Sequence, residues 1–147
     1  MTDAWPDLAG RIADQAHVLP VRVYYEDTDA GGVVFYANYL KFCERGRSDC
    51  LRLLGIHHHE IDDAGFVVRR MLCEFLKPAR LDDLLTVETR FREMGGARLE
   101  LDQQVKRDTE LLFSADVTVA LIDGRGRPKR LPPDMARVFK KLVKSGS

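Results

Sequence analysis

The strongest constraint on this chain's fold is a change of period along its length. Between residues 37 and 54 the residues Tyr39, Phe42, Cys43, Gly46, Cys50, Leu53 and Leu54 recur every three or four positions, with Lys41, Glu44, Arg45, Arg47 and Asp49 between them. That spacing is the stripe of a long amphipathic helix. After it the segments 66–76, 85–92, 97–106 and 111–122 alternate or run apolar, separated by the turn-rich stretches KPARLDD, MGG and RDTE. Leu99, Leu101, Gln103 and Val105 share one face, and Phe113, Ala115, Val117, Val119 and Leu121 share another, the pattern of long antiparallel strands. An earlier strand is signalled by Val21, Val23 and Tyr25 alternating with Arg22, Tyr24 and Glu26. One helix cannot cover both faces of a five-stranded sheet that is apolar on one side. The sequence therefore predicts an α+β fold in which the antiparallel sheet wraps around the long helix and shares its outer edge or face with a second copy.

At 147 residues the chain is long enough for one domain with its own core, expected over residues 20–147. Residues 1–19 are sparse in apolar side chains and read as a partly ordered leader with one helical turn around residues 8–16. Gly46 on the apolar side of the helix costs about 1 kcal/mol relative to Ala, which implies close approach of a neighbouring backbone. Gly55 supplies the C-terminal stop, and Pro132-Pro133-Asp134 start a closing helix. Lys+Arg and Asp+Glu balance at 23 each, so no global field draws the protein to nucleic acid or to an anionic membrane. Cys43, Cys50 and Cys73 form no CxxC pattern and fit a reducing compartment. The N-terminal stretch carries Asp3, Asp7 and Asp14 without an apolar signal core, and no run approaches the roughly 20 apolar residues of a transmembrane helix. A soluble cytoplasmic protein is expected.

The stretch YYEDTDAGGVVFYANY, from Tyr24 to Tyr39, holds three carboxylates and two adjacent glycines where strand gives way to helix. As a calcium loop counted from Asp27 it fails, because Gly31 and Asn38 stand at the fifth and twelfth positions. As a phosphate cradle it lacks GxxxxGK[ST], and its anionic side chains would repel the ligand. Glu26 and Asp27 read as turn residues. Asp29 differs, because Gly31 and Gly32 let the backbone pass close to a ligand and Val33 to Tyr36 lead into the first helical turn, where unpaired N–H groups and the positive dipole end point outward. Either Asp29 caps the helix, or it faces a carbonyl whose developing oxyanion those N–H groups receive, the minimal equipment for acyl transfer.

YYEDTDAGGVV, followed by FYANYLKF, ERGR and LRLLGI, resembles the opening of the hotdog-fold acyl-CoA thioesterases, specifically the Tol-Pal-associated (YbgC-like) branch and its hydroxybenzoyl-CoA thioesterase relatives. The similarity continues through FVVRRMLCEFLKPARLDDLLTVET and resumes near PKRLP, covering about residues 21–140. The resemblance implies a hotdog fold and hydrolysis of short-chain or aromatic acyl-CoA, with Asp29 as the catalytic carboxylate acting as nucleophile or through water. It further implies the Tyr36 N–H as oxyanion donor, Tyr25 as a strand tyrosine lining the site, and Gly32 and Val33 beside the substrate. It also implies a homo-oligomer, a dimer or a dimer of dimers (homotetramer). A competing reading is a binding or scaffold protein of the Tol-Pal system that holds acyl-CoA or acyl carrier protein with vestigial turnover. Many members of that branch carry His where this chain has Tyr36, and a phenol with a pKa near 10 substitutes poorly for imidazole. The exchange is tolerable if only the amide matters.

Thiolate is a fair leaving group, so no cofactor or metal is required. His57, His58 and His59 tempt a zinc assignment, but consecutive imidazoles point in different directions and no Cys or carboxylate stands at a finger-like spacing. Arg125, Arg127, Lys129 and Arg130, in the loop after the last strand, either hold coenzyme A phosphates or form a solvated basic loop. Arg69 and Arg70 lie within one strand, so one of them should face outward. Met71, Phe75, Phe91 and Phe113 read as core, with an acyl-pocket role for any of them the lesser alternative. A hotdog dehydratase would need a catalytic His beside the carboxylate, and none lies near the loop.

Overall fold

The computed structural model describes residues 8–56 and 64–143. The elements run β1 (Arg11–Ala13), β2 (Ala16–Arg22), α1 (Tyr36–Leu53), β3 (Ala64–Phe75), β4 (Leu84–Met94), β5 (Arg98–Arg107), β6 (Glu110–Asp123) and α2 (Pro133–Leu142). The strands form one antiparallel sheet in the order β1-β2-β4-β5-β6-β3. The wrapped α+β arrangement is as expected, with six strands rather than five.

The additional strand comes from the segment expected as a leader. Asp14 and Gln15 adopt positive φ (52° and 63°) and close a two-residue hairpin between β1 and β2, the left-handed geometry that such a turn requires. No helical turn forms at residues 11–16. Pro20 does not break β2, because β1 covers only Ala16–Val18 and the rest of that side of β2 is unpaired. A proline without an N–H loses no ladder bond there. His17 is buried and donates from Nε2 to the Ala9 carbonyl at 2.6 Å.

Alternation fills the space between sheet and helix. Val21, Val23, Leu85, Val87, Leu101, Val105, Phe113 and Val117 face inward and are buried against Phe42, Cys43 and Cys50 of α1, each large apolar side chain contributing roughly 1.5–3 kcal/mol on burial. Gly46 sits at the closest approach, as expected: a Cβ there would stand 3.0 Å from Val87 Cγ1, 3.2 Å from Thr89 Oγ1 and 3.3 Å from Gln103 Nε2. Phe139 of α2 closes one end against Phe66 and Phe91, with ring centroids at 6.2 and 5.2 Å. The outer face of the sheet is charged, with Arg92 between Glu100, Asp102 and Asp116.

Strand β3 is the sheet's terminal strand, and its register shifts between Val68 and Arg70 opposite β6. A bulge re-aims side chains, so Arg69 and Arg70 are both exposed rather than one of them. Val67, Val68, Leu72 and Phe75 on the same strand are exposed as well. Of the four residues read as core, Phe91 and Phe113 are buried, Met71 is partly buried, and Phe75 is not core.

Candidate active site

The loop between β2 and α1 is built by its own carboxylates. After Val23 the chain leaves the sheet into a single 3-10 turn, Tyr25–Asp27, instead of extending the strand. The cause is Asp27, which is buried, accepts the Tyr24 N–H on Oδ2 at 2.8 Å and accepts Asn38 Nδ2 on Oδ1 at 2.8 Å. Its own carbonyl accepts the Phe35 N–H at 2.9 Å. Asp27 thus fastens the loop to the first turn of α1. Glu26 stays exposed.

Asp29 stands in a tight reversal. Its N–H donates to Val33 O at 2.9 Å, Gly32 N–H returns to Asp29 O at 3.1 Å, and Thr28 bridges Val34. Gly32 takes φ +78° to make this possible, and its missing Cβ leaves open space. The loop is pinned from outside as Val34 N–H donates to Ala79 O at 2.8 Å and Val33 bridges Arg80. Asp29 Oδ1 accepts Gly31 N–H at 2.8 Å and Val33 N–H at 3.4 Å, and Oδ2 accepts no hydrogen bond among the described residues. The carboxylate is exposed. It is therefore held by one oxygen with the other free.

Helix α1 begins at Tyr36 with no side-chain cap and no acidic residue in its first turn. Its first N–H groups have no intrahelical acceptor, and among the described residues the Tyr36 N–H donates to nothing. Asp29 does not cap this terminus. Beside the terminus lies a cleft of about 230 Å³ lined by Val34, Tyr36, Tyr39, Phe75, Leu76 and Lys77. Tyr39 stacks on Phe113 at 5.0 Å, and Phe75 meets Tyr36, Tyr39 and Phe113 edge-on. The Tyr39 hydroxyl accepts the Ala79 N–H at 3.0 Å, and burial pushes its pKa up.

Asp29, Gly32, Val33 and Tyr36 are thus brought into one loop and helix tip. Tyr25 is not on a strand: it is 81% exposed and lines a separate open cleft with Tyr24, Glu26, Leu81 and Asp82. Arg127, Lys129 and Arg130 follow β6 at its Asp123 end, whereas the aromatic cleft lies at the Phe113 end. Those ends are ten residues apart along β6, roughly 33 Å of strand, so one protomer does not bring the basic loop to the helix tip. Arg127 also pairs with Asp123 at 3.7 Å. Asp27, Asn38 and Tyr39 stand around the helix tip without having been assigned from the sequence, and Phe75, read as core with an acyl-pocket role as the lesser alternative, lines the cleft. The only signal was the Asp27–Asn38 spacing across the strand-to-helix change. His57, His58 and His59 lie outside the described residues. No helix among the described residues is long and apolar enough to cross a membrane.

The sequence profile of the thioesterase superfamily matches residues 31–114. The chain is 42% identical over 133 residues to the acyl-CoA thioesterase YbgC of Haemophilus influenzae, covering 88% of this chain and 98% of that one. It is 44% identical over 129 residues to the acyl-CoA thioester hydrolase YbgC of Escherichia coli, covering 82% and 93%. A probable thioesterase from Bartonella henselae superposes with a TM-score of 0.77 at 42% identity, covering 80% of this chain and 99% of that structure. At these identities and coverages, and with the same fold, the chain belongs to the thioesterase superfamily, among its YbgC-like hotdog-fold members.

Proposed function

We propose that the protein hydrolyses short-chain or aromatic acyl-CoA thioesters at the tip of α1. Hydrolysis of acyl-CoA thioesters is the activity named for its relatives at 42–44% identity. The observation that carries the assignment to this site is the half-held carboxylate. Asp29 Oδ1 is fixed by two backbone N–H groups while Oδ2 is uncommitted, three residues ahead of the turn position that leads into an uncapped helix terminus.

A thioester carbonyl laid over Gly32, with Val33 beside it, meets no side chain. Asp29 Oδ2 then either adds to the carbonyl carbon, expelling the coenzyme A thiolate and leaving a mixed anhydride that water cleaves, or takes a proton from a water that adds instead. In both routes negative charge grows on the carbonyl oxygen, and the Tyr36 N–H and helix dipole receive it. The aromatic cleft beside Tyr36 accommodates a compact acyl group. Its volume favours short or ring-bearing chains over long ones.

The basic loop enters through a second copy. Antiparallel pairing of β3 with the same strand of another protomer, centred on Arg69 and Arg70, sets the Ala64 end of one beside the Phe75 end of the other. Arg127, Lys129 and Arg130 of one copy then approach the site of its partner, where guanidinium forks suit phosphate oxygens. The exposed apolar residues of β3 support that pairing. A dimer, or a dimer of such dimers, is the expected assembly, and three free cysteines together with a coenzyme A substrate favour the cytoplasm.

The test is Asp29→Asn, assayed by free-thiol release from benzoyl-CoA and butyryl-CoA. Turnover should fall at least about 100-fold with an unchanged melting transition. Retained turnover would remove Asp29 from the chemistry. If the wild type itself keeps acyl-CoA bound without releasing thiol, the binding or scaffold reading, including acyl carrier protein as partner, replaces this one.

A further inference from the structure

Two side chains bracket the groups that the reaction brings together. Asp29 stands on the loop and Tyr36 on the first turn of α1, and two positions outside them lie Asp27 and Asn38. Asp27 Oδ1 accepts Asn38 Nδ2 at 2.8 Å although the two are 11 positions apart in the chain. Among the described residues this is the one side-chain to side-chain hydrogen bond between the loop and α1. On the far flank the tie is indirect: Tyr39 Oη accepts the Ala79 N–H at 3.0 Å, and Ala79 O accepts the Val34 N–H at 2.8 Å.

Both members of the pair are buried. Asn is a poor helix former, and a buried amide or carboxylate is costly unless it is bonded. An apolar pair would fill the same space by packing but fix no direction, whereas a hydrogen bond to a charged acceptor does. The backbone repeats the constraint, since Asp27 O accepts the Phe35 N–H at 2.9 Å and Phe35 O accepts the Asn38 N–H at 2.8 Å. Asp27 also sets a negative charge close to a helix end that has neither a side-chain cap nor an acidic first turn, which suits the dipole there. Its two oxygens are taken by Tyr24 N–H and Asn38 Nδ2. The helix end is therefore charge-compensated while the Tyr36 amide stays free.

We propose that Asp27 and Asn38 are positioning residues for thioester hydrolysis, their bond setting the separation between the Asp29 carboxylate and the Tyr36 amide without touching the substrate. This role rests on the hydrolytic reading of the Asp29 loop. Misplacing one reacting group by about 1 Å costs on the order of 100-fold in rate. Substrate contacts elsewhere are unchanged, so the loss falls on kcat rather than KM.

Turnover of benzoyl-CoA and butyryl-CoA is measured by free-thiol release for the wild type, Asn38→Ala, Asn38→Asp and the exchanged pair Asp27→Asn/Asn38→Asp, each well below its own melting transition. Asn38→Ala cuts the link and should lower kcat about 10–100-fold with KM within about threefold. Asn38→Asp sets two carboxylates face to face and should lose more. In the exchanged pair the amide placed at position 27 accepts the Tyr24 N–H and donates to the carboxylate placed at position 38, so both bonds return. Its kcat should recover to within about fivefold of wild type. Asn38→Ser replaces Asn38→Ala if the latter does not fold.

A role confined to stability would lower the melting temperature of the single variants and leave kcat per folded molecule at its wild-type value, and that result overturns the proposal. So does a rise in KM at constant kcat, or an exchanged pair that melts like the wild type yet is no faster than Asn38→Asp. Asp29→Asn is assayed alongside. Turnover lost there but kept at the wild-type kcat in Asn38→Ala overturns the positioning role alone. Turnover retained in Asp29→Asn, or absent from the wild type, overturns the hydrolytic reading and the positioning role with it.

Discussion

Tyr36 offers a way to remove one backbone donor while sparing the fold. It is the first residue of α1, and the preceding Phe35 has ψ 135°. Proline is well suited to a first helical position, and it demands extended backbone just before it, which Phe35 already has. Tyr36→Pro therefore deletes the N–H without a helix penalty, since that N–H has no acceptor in the protein. It also deletes the ring, which is 63% exposed and touches Phe35 and Phe75 at centroid separations of 4.6 and 6.2 Å. Tyr36→Ala is the control, as it loses the same ring and keeps the amide. Each aromatic pair is worth about 0.5–1.5 kcal/mol, so both variants should melt a few degrees lower and by the same amount. Loss of one oxyanion donor costs about 10²–10³ in rate, roughly 3–4 kcal/mol. Turnover of benzoyl-CoA by Tyr36→Pro should thus lie that far below Tyr36→Ala, with the loss in kcat rather than KM. Equal kcat values in two equally folded variants refute the oxyanion role of this amide.

Tyr36→Phe should keep turnover within about threefold, since the proposed role of this residue rests on its backbone amide and not on its hydroxyl; a larger loss seen in steady-state kinetics would give the hydroxyl a role. Asp27→Ala leaves the Tyr24 N–H and the Asn38 amide without their charged acceptor and should cost about 3 kcal/mol in urea unfolding. Asp27→Asn should cost only about 1 kcal/mol, because Asn38 can turn its amide to match. Gly46→Ala places a methyl 3.0 Å from Val87 Cγ1; overpacking of roughly 1–3 kcal/mol outweighs the helix-propensity gain of about 1 kcal/mol, and a raised melting temperature would contradict the close approach. Burial pushes the Cys43 and Cys50 thiols up to about 12, whereas in the unfolded chain they ionise near about 8.5. The unfolded state loses these protons first, so the stability they confer is complete below about pH 8.5 and declines as pH rises towards about 12. Urea midpoints that stay level across that range would show the thiols to be ordinary.

Much of this was readable from residue order because the relevant signals are local. The helix and the four long strands announce themselves by period, and Asp29, Gly32, Val33 and Tyr36 fall within eight residues of one another. The hairpin of β1 and β2 was hidden because its turn uses Asp14 and Gln15 at positive φ, where glycine or asparagine would have flagged it. Tyr25 continued an alternating pattern that the Asp27 carboxylate overrides by drawing the chain into a 3-10 turn. Tertiary placement was the least legible. Nothing in composition tells that Phe75 reaches the helix tip, that the β3 bulge exposes both Arg69 and Arg70, or that the basic loop sits at the opposite end of β6.

The two rims of the sheet are unequal partners for growth. Along β2, the stretch left uncovered by β1 carries Pro20, which offers no donor to an incoming chain, while β3 is a terminal strand whose outer edge pairs with no strand among the described residues. A rim that accepts and a rim that refuses cannot be joined head to tail. In the proposed dimer two copies would meet accepting rim to accepting rim, with Pro20 set against head-to-tail extension along the uncovered part of β2.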